Sequence, residues 1–262
     1  MDQLALYPLR ATLEIPAISA DEMREVDRVA VEDAGLSLLQ MMENAGRSLA
    51  LIARDYTGPP DPELGGQLLI LAGRGNNGGG ALAAARHLRN WGYAPQVVLS
   101  GPPGQLGEAG AVQHHILHKD GLRATWPGAT EFDEHFPAML AGATTVIDGL
   151  VGYGLRGPLQ GDVALIVDAL LEAAAPIVIS LDVPSGVEMA SGDVYSTAVV
   201  ATATLTLALP KTGLIEGDAA AAVGELLLGD IGIPNYIYDR LNLPVPPNLF
   251  AEGPIVRLIP DS

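Results

Sequence analysis

Three stretches of this sequence set polar or glycine-rich residues where chemistry could use them. The first is 72–81, AGRGNNGGGA, between a strand-like and a helix-like run. Glycines allow close backbone approach, a helix N-terminus offers free N–H groups to an anion, and Asn76 and Asn77 add amide donors and acceptors. The run lacks the Lys-Ser/Thr end of a Walker loop, and a flexible tight connection is its plain alternative. The second is 146–158, VIDGLVGYGLRGP, in which Asp148 closes a strand and Gly152, Gly154 and Gly157 follow in Gly-x-Gly-x-x-Gly spacing. That spacing alone is weakly diagnostic, Asp148 also suits a cap or turn, and Arg156 is a candidate phosphate partner. The third, 179–186, reads ISLDVPSG and sets Asp182 at a strand end with Ser185 just beyond Pro184. It is not G-x-S-x-G, and all 5 histidines precede Ser185, so a serine hydrolase is not expected.

Asn77, Asp148 and Ser185 offer oxygen without His or Cys. Such a set, with one or two carboxylates, suits a hard, weakly charged cation or no metal. Asp182 is then the acid/base candidate beside glycine-rich backbone. His114 and His118 lie four apart on a helical pattern but lack the Glu of H-E-x-x-H, and read as a solvated face. Lys211, which shares the chain only with Lys119 as a lysine, is either an anion partner or an ordinary turn lysine.

The elements that must hold these residues alternate along the chain. The first 60 or so residues read as helical, with Ser19 before Asp21 and Glu22 as one N-cap and Ser37 as another. Leu38, Met42, Ala45, Leu49 and Ile52 form one apolar stripe behind Ser37. A Pro and Gly cluster from Gly58 to Gly66 ends that helix. Strands are expected at 67–72, 96–100, 144–148, 176–182, 199–209 and 224–229, with helices at 82–91, 108–119 and 161–174. The last of these turns Val163, Ile166, Val167, Leu170 and Leu171 to one side. Continuous apolar strands joined by helices predict an α/β fold: a Rossmann-like three-layer αβα sandwich with a mostly parallel sheet and an N-terminal helical extension. In such sheets ligands bind beyond the carboxyl ends of the strands, where all three polar stretches fall. Residues 244–254 read as an irregular tail or arm.

Composition narrows the function. The 262 residues carry 31 acidic and 14 basic side chains, a formal charge of −17, which argues against nucleic acid or an anionic membrane as partner. A chain that is 48% hydrophobic and 17% charged, with mean hydropathy +0.28, can bury a core and is not disordered. With no cysteine there is no disulfide, thiolate ligand or Cys nucleophile. No targeting segment and no run long enough to span a bilayer is evident, so a soluble, cytoplasmic protein is expected.

MMENAG at 41–46, GRGNNGGG at 73–80, IDGLVGYGLRG at 147–157, LDVPSG at 181–186 and TLALPKTG at 206–213 stand in the order and spacing of one family. Over roughly 20–230 the chain resembles the NAD(P)H-hydrate epimerase, or YjeF N-terminal domain, family. The resemblance implies one domain over 1–262 without a C-terminal dehydratase domain. It implies an isomerase of nicotinamide nucleotide repair that interconverts the R and S epimers of NADHX and NADPHX, a homodimer coupled to a separate S-specific dehydratase. By matching position, Asn77, Asp148 and Ser185 would hold a potassium ion. Asn76, Asn77, Gly78, Gly79, Gly80, Gly152, Tyr153, Gly154, Leu155, Arg156, Gly157, Pro158 and Asp182 would contact substrate, with Asp182 catalytic. The family loop usually reads N-N-G-G-D-G, so Gly80 stands in place of an acid and Ala81 in place of a glycine. That departure leaves a non-catalytic nucleotide-binding or scaffold member of the same fold as the alternative.

Overall fold

A computed structural model describes residues 7–61, 68–173, 176–189, 192–215 and 219–259. The expected strand start at Gln67, the turn glycines Gly65 and Gly66, and the helix end at Ala174 lie outside them.

Strand β1 (Leu9–Ala11) comes first, followed by α1 (Ala20–Arg28) and α2 (Leu38–Thr57). Both helices start where local chemistry dictates. The Ser19 and Ser37 side chains accept from the N–H groups of Glu22 and Gln40, whose side chains return to the cap N–H, closing two capping boxes. Then come β2 (Leu68–Ala72), α3 (Asn76–Asn90), β3 (Gln96–Leu99), α4 (Glu108–Lys119), β4 (Ala124–Thr125), α5 (Phe132–Gly142), β5 (Thr145–Gly149), α6 (Gly161–Glu172) and β6 (Ile177–Leu181). The chain continues through β7 (Ala203–Leu207), α7 (Thr212–Ile215), α8 (Ala220–Val223), β8 (Glu225–Gly229), α9 (Asn235–Arg240) and β9 (Ile255–Ile259).

The described strands form one nine-stranded sheet in the order β1-β9-β8-β7-β6-β5-β2-β3-β4, parallel throughout except where β9 runs against β8. All five β2 residues are buried, and their side chains point alternately to two faces of the core. Leu68, Ile70 and Ala72 pack with Ala45 and Leu49 of α2 and Leu82 of α3. Leu69 and Leu71 face Phe132 and Phe136 of α5 and Ile166, Val167 and Leu170 of α6. This is the expected three-layer arrangement. The chain runs outward from β2 through β3 to β4, then returns to β5 on the other side of β2 and runs outward again through β6 and β7. A crevice therefore opens between the loops that leave β2 and β5, where such folds bind ligands.

Several expectations need correction. α3 begins at Asn76, not near Leu82, so the asparagine and glycine run is the first turn and a half of a helix. The N-terminal segment is not purely helical, because β1 pairs with β9 at the sheet edge. A three-residue strand is too short to show a period. The strand expected at 199–209 spans only Ala203–Leu207, since Leu209 and Pro210 turn away toward Ile18. Within α6, Leu171 is 44% exposed and does not share the buried face. Residues 244–254 are without helix or strand, as expected, but lead into β9.

Candidate functional site

The crevice is a cavity of about 940 Å³ whose walls come from the ends of β2, β3, β5, β6 and β7. Gly75, Asn76 and Asn77 open α3 on one side, Leu150 to Gly154 follow β5 on the other, and Asp182 and Leu207 lie at the ends of β6 and β7. The first N–H groups of α3 have no partner within the helix and its N-cap Gly75 supplies no side chain, which leaves a ready anion seat.

Asp148 and Asp182 both end apolar strands, yet their surroundings differ completely. Asp148 is fully buried and saturated. Its Oδ1 accepts from Leu150 N–H (3.2 Å) and the Ser185 hydroxyl (2.6 Å), and its Oδ2 from Ser185 N–H (2.8 Å) and the Ser180 hydroxyl (2.9 Å). Burial pushes its carboxyl above the usual range while these four donors pull it back. Ser180 joins because it sits directly across from Asp148 in the β5–β6 ladder. Ser185 in turn accepts from Val151 N–H at 2.9 Å, which fixes the start of the glycine-rich loop.

Asp182 faces the crevice. It is 4% exposed and adopts a left-handed backbone conformation, φ 67°, which costs a non-glycine residue about 1–3 kcal/mol. Such a position persists only where the surroundings fix it, and here both carboxylate oxygens are engaged. Oδ2 accepts from Tyr153 N–H at 3.0 Å. Oδ1 meets the Lys211 ammonium at 2.6 Å in a buried ion pair. Behind it, the Tyr153 hydroxyl donates to Asp27 Oδ2 at 2.6 Å. Burial raises the Asp27 carboxyl; Tyr153 and the Lys211 charge oppose that, and Asp182 adds to it.

The glycines of the two loops have distinct roles. A Cβ at Gly78 would lie 1.9 Å from Gly73 O, one at Gly79 2.9 Å from Ala109 Cβ, and one at Gly80 2.7 Å from Leu181 Cδ2. Those three pack α3 against its neighbours beneath the cavity and do not form its wall. At position 80 the space that an acid would enter is bounded by Leu181, with Met42 Sδ at 3.7 Å. Gly152 lies in the wall, where a Cβ would stand 2.9 Å from Asp182 Oδ2 and 3.3 Å from Asn77 Oδ1. Gly154 has open space around it and Gly157 has φ 82°.

Of the expected contacts, Asn76, Asn77, Gly152, Tyr153, Gly154 and Asp182 line the cavity. Leu155, Arg156, Gly157 and Pro158 lie farther along the loop and are absent from its walls, with Arg156 exposed. The guanidinium groups at the cavity belong instead to Arg74 and Arg24. Arg74 is steadied by Ser100 O (3.1 Å) and Asp162 (3.4 Å). Sequence reasoning passed over it although it lies inside the glycine-rich run. His114 and His118 stack at 6.0 Å on α4, and among the described residues no group of three His, Cys, Asp or Glu could hold a metal ion.

The family model for the YjeF-related protein N-terminus matches residues 38–213. The chain is 42% identical over 244 residues to an NAD(P)H-hydrate epimerase of Dehalogenimonas lykanthroporepellens, covering 93% of each. It is 33% identical to a Rhodopirellula baltica protein of the same name, covering 86% of this chain and 88% of that one. A Salinibacter ruber protein named bifunctional NAD(P)H-hydrate repair enzyme Nnr is 35% identical, and the match spans 86% of this chain and 42% of that one. The fold is that of yeast ynu0, whose crystal structure superposes with a TM-score of 0.77 at 21% identity over 93% of this chain and 100% of that one. The chain belongs to the YjeF-related protein N-terminal family.

Proposed function

We propose that this protein is an NAD(P)H-hydrate epimerase, interconverting the R and S epimers of NADHX and NADPHX at C6 of the hydrated nicotinamide ring. The observation that carries the reading is Asp182: a carboxylate in the crevice wall, held by the Tyr153 N–H on one oxygen and paired with the Lys211 ammonium on the other. Relatives at 42% and 33% identity bear the epimerase name, which supports it.

The C6 carbon carries a hydroxyl and is bonded to the ring nitrogen, so its configuration is lost whenever it becomes planar. Asp182, entering as the carboxylate of an ion pair, takes the hydroxyl proton. The C–O bond becomes a carbonyl as the C6–N bond breaks, and the nitrogen keeps that electron pair and receives the proton from Asp182. Rotation about the C5–C6 bond presents the other face of the aldehyde. Attack by the nitrogen then re-forms the C6–N bond, the nitrogen proton passes through Asp182 to the oxygen, and Asp182 ends ionised. The α3 N-terminus and Arg74 would seat the pyrophosphate, local positive groups on an otherwise acidic protein.

Asn77 would meet a potassium ion most readily, because its amide nitrogen is buried without a partner. A half-turn of that amide exchanges its nitrogen for its oxygen. Asp148 and Ser185, hard oxygens carrying one negative charge, would each have to release a hydrogen bond they now share to join that ion. Bound potassium would supply a fixed charge that organises the loops after β2 and β5. The same reading takes the protein as a cytoplasmic homodimer working with a separate S-specific dehydratase. The bifunctional names of some relatives support that coupling. Among the described residues no helix is long and apolar enough to cross a membrane.

The test is purified protein with R-NADHX and an S-specific dehydratase, following NADH absorbance. Recovery of NADH faster than the spontaneous rate, lost in Asp182→Asn, is expected. No acceleration together with saturable dinucleotide binding would replace the enzyme by a binding member of the fold.

A further inference from the structure

Lys211 has a buried environment that its place in a turn does not require. Its side chain is 0% exposed, and it is the bulkiest of the fully buried side chains. The backbone around it is clamped. Ile18 bridges to Lys211, Ile18 N–H donates to Pro210 O at 2.9 Å, Thr212 N–H to Ile18 O at 3.1 Å, and Leu214 N–H to Lys211 O at 2.9 Å. From that fixed base the ammonium reaches two oxygens, donating to Leu207 O at the end of β7 (2.6 Å) and meeting Asp182 Oδ1 at the end of β6 (2.6 Å). Leu207 and Asp182 both line the cavity. A buried ammonium is costly unless paired, so its retention asks for a reason.

Asp182 supplies one. Its left-handed backbone places the carboxylate away from the ordinary strand direction, and the Tyr153 N–H holds only Oδ2. Without a second restraint the group could pivot about that bond. We propose that Lys211 is the positioning residue of the site: its ammonium, 2.6 Å from Oδ1, fixes the orientation of the Asp182 carboxylate. This rests on the reading of Asp182 given above. The strap carrying Ile18 leads directly into α1, which bears Asp27 and Arg24. Seating Lys211 against Ile18 therefore also ties the N-terminal helix to the crevice.

Three single variants and a double variant test it. Lys211→Met keeps the length and removes the charge; Lys211→Arg keeps the charge and moves the donors. For positioning, Lys211→Met lowers kcat on R-NADHX at least about 100-fold with KM within about threefold, and Lys211→Arg loses about 10-fold. A merely structural lysine changes Tm but leaves kcat per folded molecule within threefold in whichever variant folds, and that result overturns the proposal. A readout independent of activity is the Tm of Asp182→Asn/Lys211→Met. An ion pair predicts that the double variant melts above both single variants, because neither charge is left buried alone. Additive losses would overturn the pairing. Failure of wild-type protein to convert R-NADHX, with the Tm coupling intact, would count against the proposed reaction and not against the pair.

Discussion

Replacing Gly152 by Ala puts the geometry of the site to its most direct test. A Cβ there stands 2.9 Å from Asp182 Oδ2 and 3.3 Å from Asn77 Cγ and Oδ1, while carbon and oxygen are comfortable near 3.4 Å. Either the carboxylate or the loop must give by about 0.5 Å. The carboxylate has little freedom, because Oδ2 is tied to the N–H of the next residue, Tyr153, and Oδ1 to Lys211. Misplacing a reacting group by about 1 Å can cost about 100-fold, so a fall in kcat of about 10- to 100-fold is expected, or about 1.4–2.7 kcal/mol in the barrier. Stability should hardly move. Gly152 has no positive φ, and alanine gains about 0.4–1 kcal/mol by restricting the unfolded chain, which offsets the crowding. The assay is the coupled NADH recovery with R-NADHX, beside a melting curve. Gly142→Ala in α5 is the control, since nothing lies within 4 Å of its Cβ and it is away from the cavity, and its kcat should stay within about twofold. Full activity in Gly152→Ala, or equal losses in the two variants, would refute the reasoning.

Gly80→Asp is expected to lower Tm by several degrees without raising turnover, because the acid would displace Leu181 and desolvate against Met42; a higher kcat would show that the apolar packing is not what fills the acid's place. Stability should fall on mild acidification through His87. Burial, reinforced by Arg86, holds this imidazole below its ordinary range against the pull of Glu43. The unfolded chain therefore takes up the proton first, and stability is lost as pH falls below about 6.5. His87→Gln should flatten the drop in Tm between about pH 7 and about pH 5.5, and an unchanged drop would assign it elsewhere. Asp27 and Asp148, raised by burial, act in the opposite direction and cancel in that comparison. Exchanging sodium for potassium at constant ionic strength should raise Tm by a few degrees in the wild type and less in Asn77→Ala. Equal shifts would remove Asn77 from the cation site.

What the sequence made legible was local chemistry. Ser19 before Asp21 and Glu22, and Ser37 before an apolar stripe, name their helix starts, and β2, β5 and β6 declare themselves as apolar runs with polar ends. The helix α5 was missed because Pro137 lies within it, although Phe132, Phe136 and Leu140 carried its period. Arg156 looked like the phosphate partner because it stands among the spaced glycines Gly152, Gly154 and Gly157, but only tertiary structure could show that Arg74 faces the crevice and Arg156 does not. The two aspartates show where local reading must stop. Each ends an apolar strand and precedes a turn, and nothing in either neighbourhood predicts its degree of satisfaction. Asp148 is closed because Ser180 lies across the ladder and Ser185 folds back over it. Asp182 is held differently, because a left-handed turn carries it past those donors to the crevice wall, where the Tyr153 N–H and the Lys211 ammonium, from the segment after β7, meet it. A carboxylate enclosed by four donors away from the cavity serves the framework, whereas one that lines the cavity beside an ammonium can exchange a proton with a ligand. Which loops converge on each aspartate therefore assigns the two roles, and Gly152→Ala crowds Asp182 while leaving the hydrogen bonds of Asp148 untouched.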